Sequence, residues 1–216
     1  MELTASAAWL NSAFASFDES ITLAVHNLYE IGGGFFTPFF EFISFFGKGG
    51  IMLIIAALAL ICIKKTRRFG TAMLLGLAVG ALFTNVFLKV AIARPRPYAD
   101  ESSIFYQLWL LVGQNVESDK SFPSGHTTAA FASMTAVFLV GDKRKSWTAF
   151  IFAFLMGLSR IYLCVHFPSD VLGGIIVGVL GGVIGTLIAY KIPSVWYEKD
   201  FYKRKVGKHE CSDSED

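Results

Sequence analysis

The chain has 216 residues, of which 54% are hydrophobic and only 17% charged, with a mean hydropathy of +0.53. A soluble domain carries about 25% charged residues, and 21 Phe in a chain of this size exceed what one soluble core can bury. An ordinary water-soluble fold is excluded and a bilayer is implied, because lipid accepts apolar side chains all round a helix.

The first residues, Met1 to Phe14, lack a basic stretch followed by a long apolar one, so no cleaved leader is expected. Phe17, Ile21, Ala24, Val25 and Leu28 then share one helical face, opposite Asp18, Glu19 and Asn27. That spacing predicts a helix lying on the membrane interface. Gly32, Gly33 and Gly34 break it. Phe35–Phe46 is strongly apolar but spans only 12 residues, or ~18 Å as a helix. It reads either as a half-buried segment or as the end of an irregular extra span.

Five apolar runs follow: Gly49–Ile63, Phe69–Ala93, Gly125–Val140, Trp147–Val165 and Val171–Tyr190. A span takes about 20 residues, so the first and third need a few flanking residues to reach across. The runs are continuous rather than alternating and rich in Ala, Leu and Gly, which argues against strands. Gly76, Gly80, Gly173, Gly174, Gly178, Gly181, Gly182 and Gly185 suit close helix packing in lipid. The expected fold is therefore all-α: a polytopic transmembrane helical bundle with five clear spans, or six. Three regions are expected: N-terminal interfacial or partly embedded helices at 1–48, a membrane core at 49–190 and a charged tail at 191–216.

Charge orients the bundle. Lys64, Lys65, Arg67 and Arg68 follow the first run, and Lys143, Arg144 and Lys145 follow the third. Lys191, Lys199, Lys203, Arg204, Lys205 and Lys208 follow the last, which makes thirteen of the nineteen basic residues. If the runs alternate, all thirteen share one side, which the positive-inside rule makes cytoplasmic. The opposite side holds Ala99–Phe122, with Asp100, Glu101, Glu117 and Asp119 against a single Lys. Within that connection, Ile104 to Val112 forms an apolar stretch suited to an interfacial helix over a site. The tail turns from basic to acidic and reads as solvating. Cys62, Cys164 and Cys211 show no paired or metal-like spacing and read as structural or incidental.

The remaining cations carry the chemistry. Lys89, Arg96 and Arg160 map to the boundary opposite the basic one, as do His126 and His166. Intramembrane charge is costly and marks function. No carboxylate in the spans is placed to neutralise the three cations, so an external polyanion is implied, and phosphate fits. Pro123-Ser124-Gly125-His126 reads as a capped helix start whose free N–H groups suit an anion. In Ser159–Asp170, His166 and Asp170 stand four apart across the start of the last span. Asp170 is thus expected to accept a hydrogen bond from one ring nitrogen of His166, leaving the other nucleophilic. Arg160 is expected ~9 Å deeper than His166 if the intervening residues are helical.

These pieces form three motifs in order. Lys89 and Arg96-Pro97 fit a Lys, six residues, Arg-Pro pattern. Pro123–His126 fits Pro-Ser-Gly-His. Ser159–Asp170 fits Ser-Arg, five residues, His, three residues, Asp. The chain resembles the type 2 phosphatidic acid phosphatase superfamily, and all three motifs are complete. The resemblance implies an integral-membrane lipid phosphatase with His166 as a nucleophile that forms a phosphohistidine, Asp170 orienting it and His126 as general acid. Lys89, Arg96, Ser124, Gly125 and Arg160 would cradle the phosphate. It implies no metal and no cofactor. The expected partners are a lipid phosphate or diphosphate and the membrane lipids, with no nucleic acid. Small size and compact loops look most like bacterial members that convert undecaprenyl diphosphate to undecaprenyl phosphate. Phosphatidylglycerophosphate, phosphatidate and transfer to a second acceptor are the alternatives. The site would face the extracytoplasmic side and the tail the cytoplasm.

Overall fold

The computed structural model describes residues 3–198, and every regular element within them is helical. The reading of Lys199–Asp216 as a solvating tail, with Cys211, lies outside the described residues. Two helices, α1 (Ala5–Ala13) and α2 (Ala15–Gly32), precede the first pass. That pass is one kinked rod: α3 (Thr37–Gly47) turns at Lys48–Gly50 into α4 (Ile51–Cys62). Gly49 and Gly50 form the kink with φ of 60° and 68°, a region that costs other residues about 1–2 kcal/mol. Most of Phe35–Phe46 is therefore the opening half of the first pass, and the chain traverses the bundle five times.

The second pass begins with α5 (Arg67–Ala81), loosens into a π-helical stretch at Leu82–Leu88 and ends in α6 (Lys89–Ile92). A connection holding a short turn at Pro97–Ala99 and α7 (Ile104–Leu111) leads to α8 (Gly125–Val140). After α9 (Lys143–Ser146) come α10 (Ala149–Tyr162), α11 (Pro168–Lys191) and the short α12 (Ser194–Glu198). Thr37–Cys62, Arg67–Ala99 and Pro168–Lys191 are long and apolar enough to cross a membrane, and α8 is a shorter apolar helix.

Helix α11 lies at the centre, packed on α5 and α8. Glycine makes that approach possible: a Cβ on Gly185 would stand 2.2 Å from the Gly76 nitrogen. Backbone contact of this kind replaces the hydrophobic drive that lipid removes. Large apolar side chains turn outward instead, among them Ile55, Leu58, Phe83, Phe87, Phe154, Ile176, Leu180 and Leu187.

The two ends differ chemically. Lys64, Lys65, Arg67, Arg68, Lys143, Arg144, Lys145 and Lys191 border the helix ends at one of them. There Arg67 donates to the carbonyls of Ile61 (2.8 Å) and Tyr197 (3.2 Å). The other end holds the N-terminal helices, α7 and the candidate site.

Helix α2 lies at the site end, with a polar stripe turned to the bundle. Asp18, Thr22 and His26 form the buried stripe against the bundle, while Phe17 and Ile21 are exposed. The reason is a buried guanidinium, that of Arg94, which takes Asp18 as its acceptor. Helix α7 forms, but Leu108 and Trp109 pack with Phe40 and Tyr162–Val165 behind the site. It is a cover for the chain turn, not a wall of the cavity.

Candidate active site

The turn after α10 sets the position of His166. The helix stops at Tyr162, Cys164 takes φ 51°, and the N–H groups of Val165 and His166 both donate back to the Arg160 carbonyl, at 3.2 and 3.4 Å. The chain folds back on itself here, so a continuous helix does not separate His166 from Arg160. Arg96 locks the turn by donating to the Val165 carbonyl at 2.8 Å. The same Nη1 lies 2.8 Å from His166 Nε2. A guanidinium only donates, so Nε2 carries the lone pair and Nδ1 the hydrogen. Burial, then the charges of Arg96, Arg160 and Lys89, hold the His166 imidazole well below its ordinary pKa. His166 is thus neutral at pH 7, as a nucleophile must be.

Nδ1 faces Asp170 at 3.6 Å, too long for the direct hydrogen bond expected from the spacing, with Ser121 Oγ at 3.5 Å from the same nitrogen. Asp170 is drawn to closer partners. Its Oδ2 accepts from Ser121 Oγ (2.5 Å) and the Phe167 amide (2.9 Å), and its Oδ1 from Arg94 Nη1 (2.7 Å). Arg94, buried under the Phe167 ring, also donates to Asn11, to Ser169 Oγ and to Asp18 Oδ2 at 2.9 Å. Asp18 accepts in addition from the Ser169 amide at 2.7 Å. The N-terminal helices are thereby tied to the carboxylate behind His166.

In front lies a cavity of about 460 Å³. Lys89, Arg96, Gly125, His126 and His166 line its head, and Ile54, Leu74, Leu77, Ala78 and Ala81 its apolar wall. The π-helical stretch before Lys89 bonds to α8 through Thr84 and Thr128, 3.2 Å apart. Such widened turns recur at functional sites. Gly125 gives Lys89 room, since a Cβ there would lie 3.6 Å from Nζ. Ser124 caps α8 as expected, its Oγ accepting from the Thr127 amide at 3.4 Å and from the Thr127 hydroxyl at 2.9 Å, but it is fully buried and does not line the cavity. Arg160 and Asp170 also stand behind the wall.

The expectation of unneutralised cations is corrected by the connection between α7 and α8. Asp119 bridges Lys89 and Arg96, and Glu117 pairs with Arg160, which also donates to Ser44. Burial raises the Asp119 carboxyl, but Lys89 and Arg96 outweigh it and hold the pKa below the ordinary value. From sequence alone these carboxylates mark only sidedness, and Arg94, Asp18 and Ser121 carry no role. The one available signal was the second arginine in Arg94-Pro95-Arg96-Pro97.

Residues 69–194 match the PAP2 superfamily. The chain belongs to that family. The phosphatase chemistry expected from the motifs is thereby borne out. A lipid A 4'-phosphatase of Bacteroides thetaiotaomicron is 29% identical over 169 residues, covering 74% of each chain. The undecaprenyl-diphosphatase BcrC of Bacillus subtilis is 34% identical over 109 residues, half of each chain. The crystal structure of a transmembrane PAP2-type phosphatidylglycerolphosphate phosphatase from Bacillus subtilis superposes with a TM-score of 0.65 at 30% identity. That match covers 87% of this chain and 92% of the other.

Substitutions separate the residues by position. His166→Ala is expected to lower turnover by roughly 10⁴-fold or more, and Asp170→Asn by less, because the nucleophile remains. Asp18→Ala leaves part of a buried charge unmatched and is expected to cost about 3–5 kcal/mol of stability. Initial rates and thermal unfolding in detergent measure these effects. Equal rates for His166→Ala and wild type would remove His166 from the chemistry.

Proposed function

We propose that the protein hydrolyses the terminal phosphate of a membrane lipid through a phosphohistidine on His166, and that undecaprenyl diphosphate is the substrate. The observation that carries this reading is the cavity, with a neutral imidazole and two cations at its head and an apolar wall beneath them. His166 Nε2 attacks phosphorus as the bond to the leaving oxygen breaks. Lys89, Arg96 and Arg160 offset charge on the equatorial oxygens, which is most of what phosphoryl transfer requires. His126 protonates the departing oxygen. Water then displaces His166 and releases inorganic phosphate.

The substrate preference rests on shape. Gly47, Gly49, Gly50, Ala78 and Ala81, all small, line the cavity beside its polar head, and a single chain ending in a diphosphate needs less room there than a sugar headgroup. The similar proteins act on three different lipid phosphates by name, and their shared feature is the terminal phosphate. Phosphatidylglycerophosphate is the second reading, favoured by the fit to the Bacillus subtilis structure. The charge asymmetry of the two ends supports a site on the extracytoplasmic side.

Two measurements check this. Phosphate release is assayed in detergent on undecaprenyl diphosphate, phosphatidylglycerophosphate, phosphatidate and a lipid A phosphate, with and without EDTA. The highest kcat/KM is expected on undecaprenyl diphosphate, unchanged by EDTA. A higher value on another lipid reassigns the substrate, and loss with EDTA contradicts a cradle built from side chains. In intact cells, with native cysteines removed, an impermeant thiol reagent is expected to label Ser118→Cys and not Lys145→Cys. The reverse pattern would invert the topology.

A further inference from the structure

We propose that Glu117 and Asp119 are specificity-determining residues: intramolecular competitors for the phosphate seats that keep singly charged phosphodiester headgroups of the surrounding lipid out of the site. This rests on the reading of Lys89, Arg96 and Arg160 as the phosphate cradle.

Three cations converge here and are nearly buried, with side-chain exposures of 8%, 6% and 2%. Each is paired with a carboxylate from one irregular stretch between α7 and α8. Asp119 gives one oxygen to Lys89 and the other to Arg96, the bidentate placement a phosphate would adopt. Glu117 gives an oxygen to Arg160. The carboxylates are the more exposed partners, at 48% and 26%, and both residues line the cavity. They sit between the cations and the space a ligand enters. The backbone of the stretch is held separately: Tyr98 Oη donates to the Glu117 carbonyl (3.1 Å) and accepts from its amide (2.9 Å), and Arg96 Nε donates to the Asp119 carbonyl (3.1 Å). Rotation of two side chains therefore clears the seats without unfolding the connection.

Charge decides what clears them. Three positive groups meet two negative ones. A terminal phosphate with two charges replaces both carboxylates and keeps the balance. A phosphodiester that replaces both brings one charge and leaves a second buried cation unmatched, which a low-dielectric site penalises. A membrane enzyme with an open tricationic cradle would face phosphodiester lipids in vast excess. The two carboxylates raise the threshold for every anion, so that only the doubly charged ones pass it.

The test is binding, which needs no turnover. Dissociation constants for inorganic phosphate and for short-chain phosphatidylglycerol are measured by calorimetry at pH 8 on the full chain in detergent. Relative to wild type, Glu117→Gln/Asp119→Asn is expected to bind phosphatidylglycerol at least tenfold more tightly and to tighten less on phosphate; equal tightening on both probes overturns the specificity role. Asp119→Glu, which keeps the charge, is expected to stay within threefold of wild type. Unchanged or weaker binding by the double variant overturns the proposal, as does tight binding by Asp119→Glu. If the double variant does not elute as a single species, Glu117→Gln alone decides, with at least threefold tightening expected and no change contradicting it. Phosphate release by wild type is followed in parallel. Its absence would count against the phosphatase reading, while the binding result still decides the role of the carboxylates.

Discussion

The site depends on a separation of charge across one imidazole. Behind His166, Arg94 is held between Asp18 and Asp170, two carboxylates against one cation. In front, Lys89, Arg96 and Arg160 outnumber Asp119 and Glu117. Side chains this buried feel one another strongly: at 4 Å and an effective dielectric of 20, a charge pair interacts by about 4 kcal/mol. The Nδ1–H points toward the negative group and the Nε2 lone pair toward the positive one. The tautomer a nucleophile needs is thus fixed by the field as well as by contact. The 3.6 Å separation of His166 and Asp170 matters less in this light, since the electrostatic support does not require a short bond.

The fold exists to hold those two charge groups at one level. Arg94 and Arg96 leave the second pass side by side, and α11 starts with Asp170 in its first turn, where its carboxylate serves as the cap. The Ser124 amide donates to the Asp170 carbonyl and the Ser121 amide to the Arg94 carbonyl, at 3.0 and 2.9 Å. These bonds join the starts of α8 and α11 to the end of the second pass. Deeper in the bundle, the glycine contacts of α5 and α11 keep the same helices in register. The apolar wall then follows: α4 and α5 meet closely at Ala57 and Gly70, while Gly49 and Gly50 of the kink line the cavity together with Ala81.

Much of this was legible from residue order. The apolar runs located the passes, and the three motifs named the residues at the head of the cavity. Three kinds of information were hidden. That the polar stripe of α2 packs on protein depends on the partner of Arg94, 76 residues away, and amphipathic spacing alone does not name that partner. The kink joining Phe35–Phe46 to the first run needs a left-handed pair at Gly49 and Gly50, which composition does not distinguish from a break. The pairing of Glu117 and Asp119 with the cradle comes from an irregular connection with no periodicity to read. In the first and third cases the deciding contact is long-range and polar, in the second it is a local backbone conformation, and hydropathy carries no record of either.

The central claim is that His166 forms the covalent intermediate, and the most direct measurement is to trap it. Substrate labelled in its terminal phosphate is mixed with the enzyme and quenched in base within milliseconds, and the labelled peptide is sequenced. The account predicts a base-stable, acid-labile phosphoryl group on His166 that is absent from His166→Ala and disappears as free phosphate is released. Label on another residue, or turnover at the wild-type rate with no labelled protein at any time, would contradict it.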